Sequence, residues 1–133
     1  VKIALPGQCR SLDLLLLLGY CGLVFWLSSR STLPGPDLFS QQDKLVHAIA
    51  YALMAWLVWH VCAHWHAARS RMLLITVLFC MLYGLSDEWH QSFVPGRDAS
   101  PWDWLADGFG ALVMALWIDR RAARKPAADC HQE

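Results

Sequence analysis

The chain has 133 residues, 56 % of them hydrophobic and 17 % charged, and its formal net charge is zero. A balanced charge excludes bulk electrostatic attraction to nucleic acid, so no nucleic-acid partner is expected. A soluble domain of this size has only a modest core for so much apolar surface, whereas lipid solvates the outside of membrane helices directly.

One domain over residues 1–133 is the natural reading for this length. The first apolar run, Leu12 to Leu27, carries one charge, Asp13, and Ser28 and Ser29 extend it to a span of about 12–29. No A-x-A-like cleavage site follows it, and it is longer than the apolar part of most signal peptides. The second run is Leu45 to Trp65. The third starts at Met72 and continues as helix through Asp87 to Gln91, and the fourth covers about 104–119. Each is near the roughly 20 residues that cross a bilayer. Gly108 and Gly110 suit close helix contact in the fourth. Trp56, Trp59, Trp65, Trp89, Trp102, Trp104 and Trp117 sit mostly towards span ends, as an aromatic belt does. No segment alternates like a strand, so the fold expected is all-α, an integral membrane four-helix bundle with a polar tail over 120–133.

Lys and Arg counts set the orientation. Lys2, Arg10, Arg69, Arg71, Arg120, Arg121, Arg124 and Lys125 fall on one side, against Arg30, Lys44 and Arg97 on the other. Both termini are therefore expected in the cytoplasm. The five cysteines form no CxxC pair; Cys21, Cys62 and Cys80 lie in apolar runs and read as small buried hydrophobes. Cys9, Cys21 and Cys130 are either acylated or inert. His60, His64 and His66 read as interfacial, solvated side chains at the inner end of the second span.

Seven of the eleven acidic residues fall in two stretches, Pro36 to His47 and Asp87 to Asp107, which share the other side. Asp43, His47 and Tyr51 stand at i, i+4, i+8, one polar stripe entering the membrane. Asp87, Glu88 and Gln91 occupy the end of the third helix, with His90 beside them. Asp103 and Asp107 are i, i+4 at the start of the fourth. The connection between them turns at Pro95-Gly96 and Ser100-Pro101 and brings Arg97 over the same end. Carboxylates at the headgroup level suit a hard divalent cation such as Mg²⁺, with Asp87, Glu88, Asp103 and Asp107 as its oxygen ligands. Metal and Arg together hold phosphate, and a His beside a carboxylate serves as acid or base.

Structural roles compete with each of these. Asp43 and Asp103 suit helix caps, and Asp98 suits a solvated loop. His47 and Tyr51 suit hydrogen bonds between helices, and Glu88 with Arg97 suits an ion pair. Asp107 is the exception, because it lies a turn inside an apolar helix and requires a partner.

The segments DKLVHAIAYALMAW and YGLSDEWHQSFVPGRDASPWDWLADGFGALVMALW resemble the VanZ-like family of small bacterial membrane proteins. The motifs that carry the resemblance are Asp43-Lys44-x-x-His47 with Tyr51, Glu88-x-x-Gln91, Pro95-x-Arg97, and Asp103-x-x-x-Asp107-x-x-Gly110. They cover about residues 40 to 118. The family pattern has Asn where this chain has Asp107, and an ionised Asp accepts hydrogen bonds without donating any. The resemblance implies four helices and a place in the bacterial envelope. The family is named for a protein associated with resistance to the glycopeptide teicoplanin, and the resemblance supplies no reaction.

The first functional reading is an enzyme acting on a lipid-linked phosphate or other envelope substrate. His47, Glu88 and Asp107 are its acid–base or metal groups, and Asp43, Lys44, Tyr51, Gln91, Arg97 and Asp103 contact the substrate. The second is a non-catalytic protein that binds a lipid headgroup or glycopeptide, or a subunit of a membrane complex. A transporter fits less well, because only one end of the bundle is polar. The partner expected in either of the first two is a membrane lipid or lipid-linked envelope precursor, with the oligomeric state open.

Overall fold

A computed structural model describes residues 10–31, 41–65 and 67–124. Lys2, Cys9, Asp37, His66, Lys125 and Cys130 lie outside the described residues, as does all of the tail beyond Arg124. Four α-helices follow in order: α1 (Arg10–Ser28), α2 (Gln42–Ala63), α3 (Arg69–Gln91) and α4 (Pro101–Arg124). Among the described residues there is no strand.

The leucine run of α1 has high helix propensity and no breaker but Gly19 and Gly22. It buries only Asp13, Leu17, Val24 and Ser28, which recur along one face, and leaves most of its leucines exposed. Exposed leucines on such a helix are what hydrocarbon solvates. The helices α1, α2 and α3 are each long and apolar enough to cross a membrane. With 24 residues α4 is long enough too. Its hydropathy is lowered by Asp103 and Asp107, which turn inward and are 4 % and 0 % exposed. Carboxylates shielded in this way by neighbouring helices are compatible with a membrane interior.

Small residues govern the packing. The interior stripe of α3 is Met72, Thr76, Cys80, Gly84 and Glu88, and that of α4 is Asp103, Asp107, Ala111, Ala115 and Ala122. Both repeat about every four residues, one face of a helix. The most extensive contact joins α2 to α4, while α1 packs on α2 and, less, on α3. At Gly110 a Cβ would run into the backbone carbonyl of Ala48, so glycine sets how closely α4 approaches α2. Polar tethers complete the bundle. Tyr20 donates its hydroxyl to the Ala50 carbonyl, Tyr83 to that of Cys21, and Trp104 its indole N–H to that of Met81.

The helices extend beyond the apolar runs. Backbone hydrogen bonding continues into polar sequence, so α2 begins at Gln42, α3 at Arg69, and α4 runs from Pro101 to Arg124. Pro101 suits the first helical position, where its missing N–H costs nothing. Asp43 is not a cap, since Gln41 precedes α2 and makes no side-chain cap bond. Asp103 lies within the first turn of α4 and spends its carboxylate elsewhere.

Trp65, Trp89, Trp102 and Trp117 are exposed near helix ends, whereas Trp59 is buried in the core and departs from the belt pattern. Arg10, Arg30 and Arg121 stack over Trp65, Trp26 and Trp117. At the end formed by the N-terminus of α1, His64 pairs with Asp13 at 2.6 Å and Arg69 with Asp119 at 2.8 Å. His64 is thus a half-buried partner rather than a solvated side chain. His60 matches the interfacial reading better, as its Nδ1–H donates to the Trp56 carbonyl. Cys21, Cys62 and Cys80 are free thiols, the latter two buried.

Candidate functional site

The other end of the bundle gathers the start of α2, the end of α3 and the start of α4. At its centre the His47 Nδ1–H donates to Asp107 Oδ1 at 2.9 Å. An ionised carboxylate only accepts, so with Asp107 ionised the shared hydrogen belongs to Nδ1, and in the neutral ring Nε2 is then the nitrogen with a free lone pair. Nε2 lies 4.0 Å from Asp43 Oδ1, and Nδ1 lies 4.0 Å from Glu88 Oε1. His47 and Glu88 are each 7 % exposed and Asp107 is fully buried.

Among the described residues two trios share this histidine: His47, Glu88 and Asp107 inside, and Asp43, His47 and Asp103 nearer the surface. In each trio the candidate ligand atoms lie within 4.8 Å of one another. The outer trio already holds a cation, because Lys44 Nζ donates to Asp103 Oδ1 at 2.8 Å. In the inner trio Glu88 Oε1 and Asp107 Oδ2 are buried without a hydrogen-bond partner. Two unpartnered carboxylate oxygens beside one histidine form a site short of positive charge, which fits a divalent cation.

The remaining groups frame this centre. The other oxygen of Glu88, Oε2, accepts the backbone N–H of Ser100 at 2.7 Å, which ties the α3–α4 connection down over the site. The anticipated Glu88–Arg97 ion pair does not form. Arg97 instead lines a cavity with His47, Tyr51, Asp87 and Gln91, and its Nε is buried with no partner. The turn at Val94–Arg97 places it there. Gly96 has φ +81°, a left-handed conformation suited to glycine, and the Arg97 N–H bonds the Val94 carbonyl at 3.1 Å.

Gln91 donates to Asp87 Oδ2 at 3.2 Å and to Ser28 Oγ at 3.3 Å, so Asp87 belongs to this second network and to neither trio. Tyr51 is 1 % exposed and its hydroxyl has no partner. His90 lies apart, stacked on Phe25 and bonded to Ser29, and Asp98 is an exposed loop residue.

A protein-family model, VanZ/LLP1, matches residues 14–120, well over half of the chain. The chain belongs to the VanZ/LLP1 family. No curated protein and no solved structure matches it. It is therefore a VanZ-like membrane protein, and its chemistry has to be read from the site itself. The match starts at residue 14, so it takes in α1 as well as the motif-bearing segments.

The motif residues of this VanZ-like chain occupy three helices and one turn, and they converge on a single end. Sequence reading did not find Ser28 or Ser100, which bond Gln91 and Glu88. Serines at helix ends are too common to single out. Gly84 was also missed. A Cβ there would come within 2.7 Å of Asp107 Oδ2, so the α3 glycine makes room for the α4 carboxylate. Its only trace in the sequence is a glycine four residues before the Glu88 motif.

Proposed function

We propose that the polar end faces the outer side of a bacterial cytoplasmic membrane, both termini lying inside, and acts on the phosphate of a lipid-linked envelope substrate. The Lys and Arg asymmetry supports the orientation, eight on the side of the termini against three on the other. The observation that carries the chemistry is the fully buried Asp107 held against His47. A buried carboxylate that takes the Nδ1–H of a histidine raises the basicity of Nε2 and fixes its direction. Nε2 then accepts a proton from water as its oxygen forms a bond to phosphorus. The bond to the leaving oxygen breaks, and the same proton is returned to that oxygen.

Glu88 and Asp107 would hold a divalent cation. Such an ion would neutralise their charge and supply positive charge for a phosphate held at the site. Arg97 contributes a planar donor that suits phosphate oxygens. Action on a lipid-linked precursor is also the route by which this chain would alter glycopeptide susceptibility.

The test is phosphate release from a polyprenyl phosphate by wild type, Glu88→Gln and His47→Gln in nanodiscs, with and without Mg²⁺ or Mn²⁺. Release by wild type alone, dependent on the cation, supports the reading; equal background from all three overturns it. A second reading is a non-catalytic headgroup binder. It is favoured by the Tyr51 hydroxyl and Arg97 Nε, buried groups that recognise a ligand without moving protons. It predicts that His47→Gln retains saturable binding.

A further inference from the structure

A cavity of about 100 Å³ lies between α1, α2 and α3, and its two walls differ in kind. One wall is polar, formed by His47, Tyr51, Asp87, Gln91 and Arg97. The other is apolar, formed by Leu23, Val24 and Leu27 of α1 with Val46 of α2. The polar wall holds two buried atoms with unmet hydrogen bonds, the Tyr51 hydroxyl and Arg97 Nε. The apolar wall is continuous with the outside of the bundle, since Leu23 is 47 % and Val46 44 % exposed. That outside is the face the bilayer covers.

The volume limits the occupant. Pockets that enclose a whole ligand run to about 300–1,000 Å³. A cavity this small takes one end of a larger molecule, and the rest leaves through an open side. The side available is the seam between α1 and α2, where the lining is apolar. The contact of α1 with α2 at this seam is much less extensive than that of α4 with α2.

We propose that this cavity takes an amphiphile laterally from the bilayer, its phosphate-bearing head against Tyr51, Gln91 and Arg97 and its hydrocarbon tail leaving along Leu23, Leu27 and Val46. This assignment rests on the phosphate reading above and adds the tail and its path. The tail makes the substrate a lipid rather than a free phosphate, and it places entry in the membrane plane rather than from the water.

The test uses a dodecyl phosphate carrying a diazirine on its chain, photolysed with the 133-residue chain in phosphatidylcholine nanodiscs. The expected label falls on residues 23–27 of α1 and 46–50 of α2, and excess dodecyl phosphate removes it while excess dodecanol does not. Leu23→Trp and Val46→Trp fill the seam at exposed positions that the core does not depend on. Each should cut the label at least fivefold, and Leu74→Trp, lipid-exposed near the opposite end, should leave it unchanged. Thermal stabilisation by inorganic phosphate is measured in parallel and should be the same in all three variants as in wild type. If phosphate stabilises wild type but label is spread over the exposed faces, or survives both seam variants, lateral entry is overturned and the site stands. If phosphate neither stabilises wild type nor competes for label, both fall.

Discussion

His47 and Asp107 are 60 positions apart in the chain, and their side chains meet at 2.9 Å, with Asp107 fully buried. The pair joins α2 to α4 at the helix contact that Gly110 keeps tight. It also separates two roles that one carboxylate performs here, accepting a hydrogen bond and carrying charge. Asp107→Asn keeps the acceptor and removes the charge. We expect it to unfold within a few degrees of wild type while Mn²⁺ affinity falls by at least the order of tenfold typical of losing a metal's supporting partner. Asp107→Ala removes the acceptor and leaves the His47 N–H buried and unmet, at a cost of about 1–3 kcal/mol. Thermal unfolding in detergent with Mn²⁺ titration separates the two. An Asn variant with unchanged Mn²⁺ affinity would remove the metal from the site.

Two glycines offer a contrast between a backbone neighbour and a side-chain neighbour. A Cβ at Gly110 meets the Ala48 backbone, which cannot turn aside, so α2 and α4 must separate. Gly110→Ala should destabilise the bundle by about 1–3 kcal/mol, as overpacking does. At Gly84 the Cβ meets the Asp107 carboxylate, which can rotate at the expense of its bond to His47. Alanine also favours helix over glycine by about 1 kcal/mol, which offsets part of the crowding. Gly84→Ala should therefore keep most of its thermal stability and lose site function. A Gly84→Ala protein as active as wild type would show that the His47–Asp107 geometry is dispensable.

The four helices were legible because apolar runs near bilayer length have few alternatives, and so was the end to which the polar motifs belong. Asp107 announced a partner, since an intramembrane carboxylate needs one, but spacing within one helix could not name His47 as that partner. Which carboxylates group together was less visible. Asp87 and Glu88 are adjacent in sequence, yet helical geometry turns them towards different networks, Asp87 to Gln91 and Glu88 to His47. The Asp13–His64 bond was invisible for a similar reason. Each residue read alone is an interfacial polar group, and only the packing of α1 on α2 brings them to 2.6 Å.

That Asp13–His64 bond lies at the opposite end from the candidate site and serves as a control. Asp13 is 8 % exposed, so His64→Ala leaves a buried carboxylate without its partner. A loss of about 1–3 kcal/mol is expected, seen as a lower unfolding temperature in detergent. Mn²⁺ affinity and phosphate stabilisation should be those of wild type. A loss of Mn²⁺ affinity alongside stability would mean that the two ends are coupled through α2.

Lys44 and Asp103 form a cation–carboxylate bond at the site's entrance, and Lys44 is 37 % exposed at its side chain. Solvent screening at that exposure leaves the pair little net stabilisation. Lys44→Met should therefore change stability little. It should strengthen divalent-cation binding, because it frees Asp103 for the outer trio with Asp43 and His47. Manganese titration of Lys44→Met against wild type checks the sign, and weaker binding would assign Lys44 to the ligand rather than to Asp103.

Arg97 tests the recognition of phosphate most directly. It is carried by a turn whose glycine has φ +81°, and its Nε is the atom left buried without a partner. Lysine keeps the charge but has neither an Nε–H nor the planar fork that grips two oxygens. Arg97→Lys should lower the affinity for dodecyl phosphate by about tenfold or more with no change in unfolding temperature, whereas simple charge neutralisation would make the two residues equivalent. Gly96→Ala reaches the same side chain through the backbone. An alanine in the left-handed region costs about 1–2 kcal/mol, and relief of that strain moves Arg97 away from the cavity. Gly96→Ala should therefore weaken dodecyl phosphate binding although residue 96 touches none of the site's polar groups. If Arg97→Lys binds as wild type does while Gly96→Ala does not, the turn matters through the seat of Ser100 on Glu88 instead, and the phosphate contact passes to another residue.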